Sequence, residues 1–252
     1  MDKFFKTVSV FGYGRFGRLW ADILAEDFKV KVYSRRGLKP EEVSKNVEIT
    51  SLEDLFDTDA VFYCVAISAF EETLKISKQY LADKKITIFD TCSVKVFPVK
   101  WMKENLPENN KIIATHPMFG PDSYYSAKDN LPIVMCNVNA QDKVFDWWCK
   151  YFSTKKMRTE IMSPEQHDKI VAYSQGITHY VGRVLADLKL KETPISTLGY
   201  KKLLEIIEQT CNDSWQLFID LQRFNPYTKQ MRYDLHESLE KVFTMINNNH
   251  TS

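Results

Sequence analysis

Short apolar runs alternate with segments of helical periodicity through the first part of this 252-residue chain. Residues 60–66 form a continuous apolar run, which is typical of a strand buried in a parallel sheet. Strands are predicted at 7–11, 30–34, 48–50, 60–66, 86–90, 111–115, 133–136 and 156–162. Helices are predicted between them at 18–25, 52–56, 70–80 and 143–152. This alternation, with its short connections, predicts an α/β domain built on a doubly wound sheet.

The pattern changes after residue 162, where only helical periodicity continues. Ser163 and Gln166 are spaced as an N-terminal capping box, with Pro164 at the first helical position. Further helices are predicted at 198–207, 214–222 and 225–247. We therefore predict two domains, residues 1–162 and a small all-helical C-terminal domain of residues 163–252. Because so short a segment buries little core, we expect it to lean on the first domain or on a partner subunit.

A glycine-rich turn follows the first predicted strand and opens the first predicted helix. Gly12, Gly14 and Gly17 fit the G-x-G-x-x-G pattern, which permits a tight turn, close approach of a pyrophosphate and close helix packing. An ordinary turn is the alternative, but the strand before and the helix after favour a Rossmann-type dinucleotide site. The predicted cofactor contacts in and near this turn are Gly12, Tyr13, Gly14, Arg15, Phe16, Gly17, Cys64 and Val65.

The end of the second predicted strand indicates which dinucleotide is bound. An acidic residue there suits the free ribose hydroxyls of NAD, whereas arginine accommodates the 2′-phosphate of NADP. The segment contains Ser34, Arg35 and Arg36 and has no acidic residue before Glu41. A hydroxyl and two guanidinium groups can all bind phosphate oxygens. A solvated basic loop is the alternative interpretation. NADP is therefore the predicted cofactor, with NAD as the second choice.

Composition excludes several classes of function. The formal net charge of +1 provides no excess of positive charge for binding nucleic acid. No apolar stretch approaches the roughly 20 residues that cross a bilayer, so no membrane partner is expected. The five cysteines are scattered without C-x-x-C spacing, which argues against disulfides and against a zinc site. No metal is predicted. Since no secretory signal is recognisable either, a cytoplasmic location is expected.

Two polar segments follow apolar runs that end at the ligand-binding edge of such a sheet. One contains Ser93 and the other contains His116, which lies between Thr115 and Pro117. An imidazole in this position is a candidate proton acceptor near neutral pH. A turn histidine bound to backbone is the alternative for a histidine considered alone.

A second set of polar residues lies on the first helix of the helical domain. Gln175, His179 and Arg183 recur at helical spacing and form one polar row on an otherwise apolar helix. A solvated stripe is the alternative interpretation. If the row faces a ligand instead, these three residues are candidate substrate contacts.

These motifs together resemble the prephenate and arogenate dehydrogenases of tyrosine biosynthesis. The resemblance covers nearly the whole chain and rests on four motifs in order: G-x-G-x-x-G, D-x-x-S-V-K, T-H-P-M-F-G-P and the helix containing H-D and S-Q-x-I-T-H. The H-P-M-F-G-P string and the Ser34-Arg35 pair are most similar to the plant-type arogenate dehydrogenases. The resemblance implies oxidative decarboxylation of a small-molecule substrate, with hydride passing from ring C4 to the nicotinamide.

The resemblance also implies roles for particular residues. His116 matches the histidine that accepts the proton of the C4 hydroxyl. Ser93 matches the serine that binds the same hydroxyl and the nicotinamide region, and His179 matches a substrate-binding histidine. By the same resemblance, the helical domain is the dimerisation domain, so a homodimer is expected.

The segment from Gln209 to Trp215 bears on the choice between arogenate and prephenate. Many prephenate-specific bacterial relatives carry an arginine here, and this chain has none. Asp213 matches an acidic residue that accompanies arogenate preference, because a carboxylate pairs with the substrate ammonium. A helix-capping role for Asp213 is the alternative. We predict an arogenate dehydrogenase, with prephenate dehydrogenase as the alternative.

Two other classes of function are alternatives to a dehydrogenase. An NADP-linked imine or hydroxyacid reductase of similar layout would place a catalytic lysine on the interdomain helix, where this chain has Gln175, His179 and Arg183. A non-catalytic NADP-sensing regulator would not need the combination of Ser93 and His116. The motifs therefore favour a dehydrogenase over both of these alternatives.

Overall fold

The computed structural model describes residues 4–126 and 130–248. The chain divides into two compact units, Met1–His167 and Asp168–Ser252, and the division falls within a helix that begins at Pro164. The predicted boundary after residue 162 stays a prediction. None of the helices in the described part combines the length and hydropathy that a membrane span requires.

An eight-stranded sheet forms the centre of the first unit, in the order β3-β2-β1-β4-β5-β6-β7-β8. The first six strands run parallel, β7 runs antiparallel to β6, and β8 runs parallel to β7. The strands are β1 (Thr7–Phe11), β2 (Lys29–Tyr33), β3 (Val47–Ile49), β4 (Ala60–Tyr63), β5 (Thr87–Asp90), β6 (Lys111–Pro117), β7 (Leu131–Asn137) and β8 (Met157–Ile161). The predicted α/β fold is confirmed.

The glycine turn lies at the point where the order of the strands in the sheet reverses. The chain runs outward from β1 to β2 and β3, then returns to β4 on the other side of β1. The crevice beyond the carboxyl ends of β1 and β4 is where open α/β sheets bind ligands. Gly12 follows β1 and Cys64 follows β4, so both lie at this crevice.

Five α-helices of the described residues lie wholly within the first unit. They are α1 (Arg15–Leu24), α2 (Ile67–Leu81), α3 (Val96–Asn105), α4 (Pro121–Ser126) and α5 (Asp142–Thr154), and one-turn 3₁₀ helices occupy Pro40–Glu42 and Asp54–Phe56. Sequence periodicity did not predict α3 or α4. α3 has Pro98 in its first turn, and its apolar residues lack a single clear face. α4 is too short for periodicity to show.

Aromatic side chains fill the core on one face of the sheet. Trp20 of α1 and Trp148 of α5 are fully buried, and both contact the ring of Phe62 on β4. Phe62 also stacks on Phe89 of β5, with ring centroids 4.3 Å apart. Rings of this size bury 150–250 Å² each on a general scale. This packing fixes α1, and with it the glycine turn, against the central strands.

The helical unit begins within α6 (Pro164–Val171), whose start has the predicted capping box. The backbone N–H of Ser163 donates to Gln166 Oε1 at 3.0 Å, and the N–H of Gln166 donates to Ser163 Oγ at 3.1 Å. The prediction of this helix start is confirmed. The later helices are α7 (Ile177–Asp187), α8 (Leu198–Cys211), α9 (Trp215–Phe224) and α10 (Thr228–Asn248).

A π-helical segment, Ala172–Gly176, separates α6 from α7. Wider turns of this kind occur as single-turn bulges, frequently at functional sites. The buried Gln222 side chain donates to the Gly176 carbonyl at 2.8 Å and satisfies a backbone acceptor there. The predicted polar row of Gln175, His179 and Arg183 thus begins within an irregular turn rather than on a uniform α-helix.

Candidate active site

The glycine turn has the geometry that each glycine was predicted to allow. Gly12 has φ near +100°, and a Cβ on it would collide with the Cys64 carbonyl oxygen. A Cβ on Gly17 would collide with the Gly12 carbonyl oxygen, so α1 could not pack at its present distance. Apart from its own chain neighbours, no atom of the described residues lies within 4 Å of a Cβ built on Gly14. Gly12 and Gly17 are therefore packed against backbone atoms, whereas Gly14 faces open space where a pyrophosphate would lie.

A cleft of about 400 Å³ lies beside this turn and is lined by Tyr13, Gly14, Arg15, Arg18 and Arg36 among others. Within the described residues no side chain caps the N-terminus of α1. Three guanidinium groups and an uncapped helix N-terminus together form a site for phosphate groups. The chain thus has the chemistry that a dinucleotide phosphate requires.

Acidic partners hold two of these arginines. Arg15 donates to both carboxylate oxygens of Asp122 at 3.0 Å, and Arg36 donates to Glu42 at 2.7 Å. The Arg36 guanidinium is the main cause of a lowered pKa at the Glu42 carboxyl. Arg18 lies over the ring of Tyr13, with its guanidinium carbon 5.6 Å from the ring centroid.

The predicted NADP-selecting segment follows β2 at the same edge of the sheet. The N–H of Gly37 donates to the Ser34 carbonyl at 3.0 Å, which closes a turn around Arg35 and Arg36. Both arginines are exposed, and Ser34 is half-buried. Of these three residues, Arg36 lines the cleft with Arg15 and Arg18.

Ser93 and His116 lie at the carboxyl ends of two neighbouring parallel strands, Ser93 three residues beyond β5 and His116 as the penultimate residue of β6. β5 pairs with β6 so that Asp90 is opposite Ala114, and Ser93 and His116 follow these residues by three and two positions. Both side chains are buried. The Ser93 hydroxyl makes no hydrogen bond to any described residue. A buried hydroxyl without a partner is costly unless a ligand supplies one.

The imidazole of His116 is neutral at physiological pH because of its surroundings. Burial holds its pKa well below the ordinary value of 6.5, and the nearby His167 and Lys95 lower it further. His116 Nδ1 lies 2.9 Å from Nε2 of His167, which is also buried. A neutral, buried imidazole is the form that can accept a proton from a substrate hydroxyl.

A buried polar network joins the two strand ends. Lys95 Nζ contacts the Asp90 carboxylate and the Thr115 carbonyl oxygen, and the Thr115 hydroxyl donates to the Asp90 carbonyl at 2.5 Å. Asp90 also accepts from the N–H of Thr115 at 3.2 Å and of Cys92 at 3.1 Å. Burial raises the pKa of the Asp90 carboxyl against the opposing effect of the Lys95 ammonium. This network fixes the backbone on both sides of Ser93 and next to His116.

The helical unit brings three of the predicted substrate contacts together. His179 Nε2 lies 3.9 Å from Asp213 Oδ2, and Arg183 donates to the Asp213 carbonyl at 2.5 Å. Burial lowers the pKa of His179, Asp213 opposes this effect, and Arg183 reinforces it. The Arg183 guanidinium also lies 4.5 Å from the ring centroid of Trp215.

Several polar atoms in this unit lack partners among the described residues. They are Gln175 Oε1, His179 Nδ1 and Arg183 Nε, all buried atoms. Asp213 does not cap α9, because the hydroxyl of Ser214 accepts the N–H of Leu217 at 3.2 Å. The capping alternative for Asp213 is therefore wrong, and its carboxylate faces His179 instead.

Four residues of these clusters had no role assigned from sequence: Arg18, Asp90, Lys95 and His167. Arg18 lies four residues after Gly14, one turn along α1, so helical spacing could have placed it at the phosphate site. Asp90 and Lys95 flank Ser93 in the chain, but only the fold shows that both are buried. His167 is 51 residues from His116 and carries no local signal for their contact.

Comparison with known proteins gives two family matches along the chain. The model described as "Prephenate dehydrogenase, nucleotide-binding domain" matches residues 31–152, and the model described as "TYRAAT1-like, C-terminal domain" matches residues 184–251. Arogenate dehydrogenase 1, chloroplastic, of Arabidopsis thaliana is 33% identical over 95% of this chain. Arogenate dehydrogenase 2, chloroplastic, of the same plant is 31% identical over 93%.

The chain spans 39% of the first plant relative and 68% of the second. Among solved structures, prephenate dehydrogenase from Aquifex aeolicus in complex with hydroxyphenyl propionate and NAD+ superposes with a TM-score of 0.74. That match is 22% identical and covers 97% of this chain and 91% of the other. At this level of identity the structural match shows a shared fold.

Proposed function

The chain belongs to the family of arogenate and prephenate dehydrogenases, and on that premise we propose that it converts arogenate to tyrosine by NADP-dependent oxidative decarboxylation. Three features support the proposal. The cleft at Gly14 suits dinucleotide phosphates, His116 is a buried neutral base, and the Ser93 hydroxyl is buried without a partner. Together they provide a cofactor site, a proton acceptor and a group to orient the substrate.

The proposed chemistry assigns one step to each of these groups. When bound, the nicotinamide ring takes up the hydride that leaves ring C4. Ser93 Oγ binds the C4 hydroxyl, and His116 accepts that hydroxyl's proton as the O–H bond breaks. The bond from C1 to the ring carboxylate then breaks, carbon dioxide leaves, and the electron pair aromatises the ring. His116 returns the proton to the C4 oxygen, which becomes the phenol.

The position of the Asp213 carboxylate beside His179 is the observation that carries the choice of arogenate. Arogenate has an ammonium group where prephenate has a keto group. The Asp213 carboxylate is half-buried, does not cap the helix that follows it, and is next to a histidine with an unpartnered buried nitrogen. A carboxylate in this position attracts an ammonium and leaves a keto group without a partner.

NADP is proposed as the cofactor because of the positive charge around the cleft. Ser34, Arg35 and Arg36 follow β2, and no carboxylate follows that strand before Glu41. Arg36 and Arg18 line the cleft beside the glycine turn. The phosphates of NADP would bind to these groups and to the N-terminus of α1, with Gly12, Gly17, Phe16, Cys64 and Val65 shaping the turn.

A homodimer through the helical unit is part of the proposal. Fifteen of the eighteen exposed large hydrophobic side chains among the described residues belong to this unit. On α10 an exposed apolar stripe at i, i+3, i+4 and i+7 spacing is formed by Leu239, Val242, Phe243 and Ile246. An unpaired apolar stripe of this kind is the usual contact face of a partner helix.

We propose a cytoplasmic location, and the state of the thiols supports this proposal. All five cysteines lie in the described part of the chain and are free. Burial raises the pKa of Cys64 to about 12 and of Cys149 to about 11, which keeps both as inert thiols.

Absorbance of the reduced nicotinamide tests the function directly. Purified protein is given arogenate or prephenate, each with NADP+ or NAD+, and the product is identified as tyrosine or 4-hydroxyphenylpyruvate. We expect the highest kcat/KM with arogenate and NADP+. A higher kcat/KM with prephenate would show that prephenate, and not arogenate, is the preferred substrate. Tight NADP+ binding without oxidation of either substrate would contradict the enzymatic function and favour a sensor.

A further inference from the structure

The contact between His116 and His167 has no role in the chemistry described so far. Nδ1 of His116 lies 2.9 Å from Nε2 of His167, and the ring planes are inclined at 71°. His116 is 3% exposed and His167 is 1% exposed, so water does not compete for this bond. His116 is the penultimate residue of β6, whereas His167 lies in the first turn of α6.

A hydrogen bond between two neutral imidazoles fixes both tautomers. One nitrogen carries the hydrogen and the other must offer a lone pair. If His116 is to accept a proton at Nε2, that atom must be unprotonated and Nδ1 must carry the ring hydrogen. Nε2 of His167 is then the acceptor. The opposite arrangement would place a hydrogen on His116 Nε2 and leave no site for the incoming proton.

We propose that His167 is the positioning residue for the catalytic base: it accepts the Nδ1–H of His116 and so holds Nε2 bare and turned toward the substrate hydroxyl. The inference rests on the proposed function, in which His116 takes the C4 hydroxyl proton. During that step the hydroxyl O–H bond breaks, an N–H bond forms at His116 Nε2, and the positive charge develops on the His116 ring. The Nδ1–H bond to His167 remains in place and strengthens as the donor becomes charged.

An imidazole partner has a consequence that a carboxylate partner would not have. A carboxylate beside an imidazole raises its pKa, so that a proton is held before the substrate arrives. His167 accepts the same hydrogen bond without a negative charge, and both His167 and the Lys95 ammonium lower the pKa of His116. The base is therefore oriented without being protonated.

Two substitutions separate positioning from simple packing. His167→Gln keeps an oxygen acceptor on a side chain of similar reach, whereas His167→Leu keeps volume and removes the acceptor. We expect His167→Leu to lower kcat by about 100-fold, with KM changed less than about threefold, and His167→Gln to retain activity within about tenfold of wild type. His236→Leu, at an exposed histidine on α10, is the matched control.

Nitrogen-15 NMR of the histidine rings gives a readout that does not depend on turnover. In the wild type we expect the His116 signal, assigned through the His116→Asn spectrum, to show hydrogen on Nδ1 and none on Nε2. Hydrogen on Nε2 in the wild type would overturn the inference, as would equal kcat for His167→Leu and wild type. Failure of the wild type to oxidise either substrate would overturn the proposed function instead, and the tautomer would still be measured.

Discussion

Nε2 of His179 lies 3.9 Å from Oδ2 of Asp213, and the residue after Asp213, Ser214, caps the next helix in place of that carboxylate. The carboxylate is therefore available to a ligand although it lies directly before a helix. His179 is held neutral by burial, so it does not neutralise Asp213. Under the proposed function, this carboxylate would pair with the ammonium of the substrate.

Asp213→Asn is expected to reduce the preference for arogenate. Loss of a charge-assisted hydrogen bond costs about 1.5–3 kcal/mol, so kcat/KM for arogenate should fall by about 10–150-fold. The value for prephenate should change by less than about threefold. Steady-state kinetics with both substrates measures the ratio, and Asp187→Asn on the exposed face of α7 is the control. An unchanged ratio would remove Asp213 from substrate recognition.

His116→Asn is expected to lower kcat by about 10²–10⁴-fold, because a general base supplies that range of acceleration. Cofactor affinity should change little, since His116 does not line the cleft at the glycine turn. Turnover and a fluorescence titration with NADP+ measure the two effects. His236→Asn is the control, and near-normal turnover in His116→Asn would contradict the assigned role.

The same variant tests the pH dependence of stability. Because the folded-state pKa of His116 is depressed, the unfolded chain binds the proton first as the pH falls. The contribution of this group is complete above its unfolded pKa of about 6.5 and is lost as the pH falls through the folded value. Between about pH 7 and pH 5, denaturant unfolding should show a smaller loss of stability in His116→Asn than in the wild type.

Arg36→Gln is expected to weaken NADP+ selectively. A guanidinium–phosphate bond contributes about 1.5–3 kcal/mol, which corresponds to about 10–150-fold in Kd. Binding of NAD+, which lacks the 2′-phosphate, should change by less than about threefold. Tryptophan fluorescence titration measures both constants, and Arg158→Gln on β8 is the control because Arg158 is exposed and likewise paired with a glutamate. Equal weakening of both cofactors would assign Arg36 to the shared phosphates instead.

Lys95→Met is expected to destabilise the fold by about 3–5 kcal/mol, since it leaves the Asp90 carboxylate buried without its charged partner. Lys75→Met breaks an exposed pair with Glu71 and should cost less than about 1 kcal/mol. Urea unfolding of both variants measures the difference. Similar losses of unfolding free energy in the two variants would mean that the Lys95–Asp90 network does not stabilise the ends of β5 and β6.

Phe243→Glu is expected to separate the proposed dimer. The substitution places a charge in the exposed apolar stripe of α10, and desolvating it in an interface is unfavourable. Light scattering after gel filtration should give the mass of a dimer for wild type and of a monomer for the variant. Lys241→Glu on the same helix is the control. A monomeric wild type at all concentrations would refute the dimer.

Local sequence patterns predicted most of the fold because the interactions that set it are local. The strand at Thr7–Phe11 was predicted with its observed bounds, and the capping box at Ser163 is confirmed in both hydrogen bonds. The glycine turn was found from spacing, and its conformation at Gly12 explains the residue type. The antiparallel direction of β7 was not predicted, because pairing direction depends on neighbours distant in sequence.

The candidate site was predicted less completely, since its support comes from long-range contacts. Ser93 and His116 follow predicted strands, so their position at the sheet edge could be inferred. The contact of His116 with His167 and the burial of Lys95 depend on tertiary packing. The π-helical segment also left no periodic signal, and it changes which residues share a face with Gln175.

That π-helical segment, Ala172–Gly176, determines the directions in which the side chains of α7 point around the helix axis. One residue in an α-helix corresponds to about 100° of rotation and 1.5 Å of rise. Deleting a single residue from the segment would turn His179 and Arg183 together by about that angle relative to α6. A substitution at either position alters one side chain, whereas an insertion or deletion in the segment redirects both at once. The direction of these two side chains is thus encoded in the length of the segment rather than in the identity of any one of its residues.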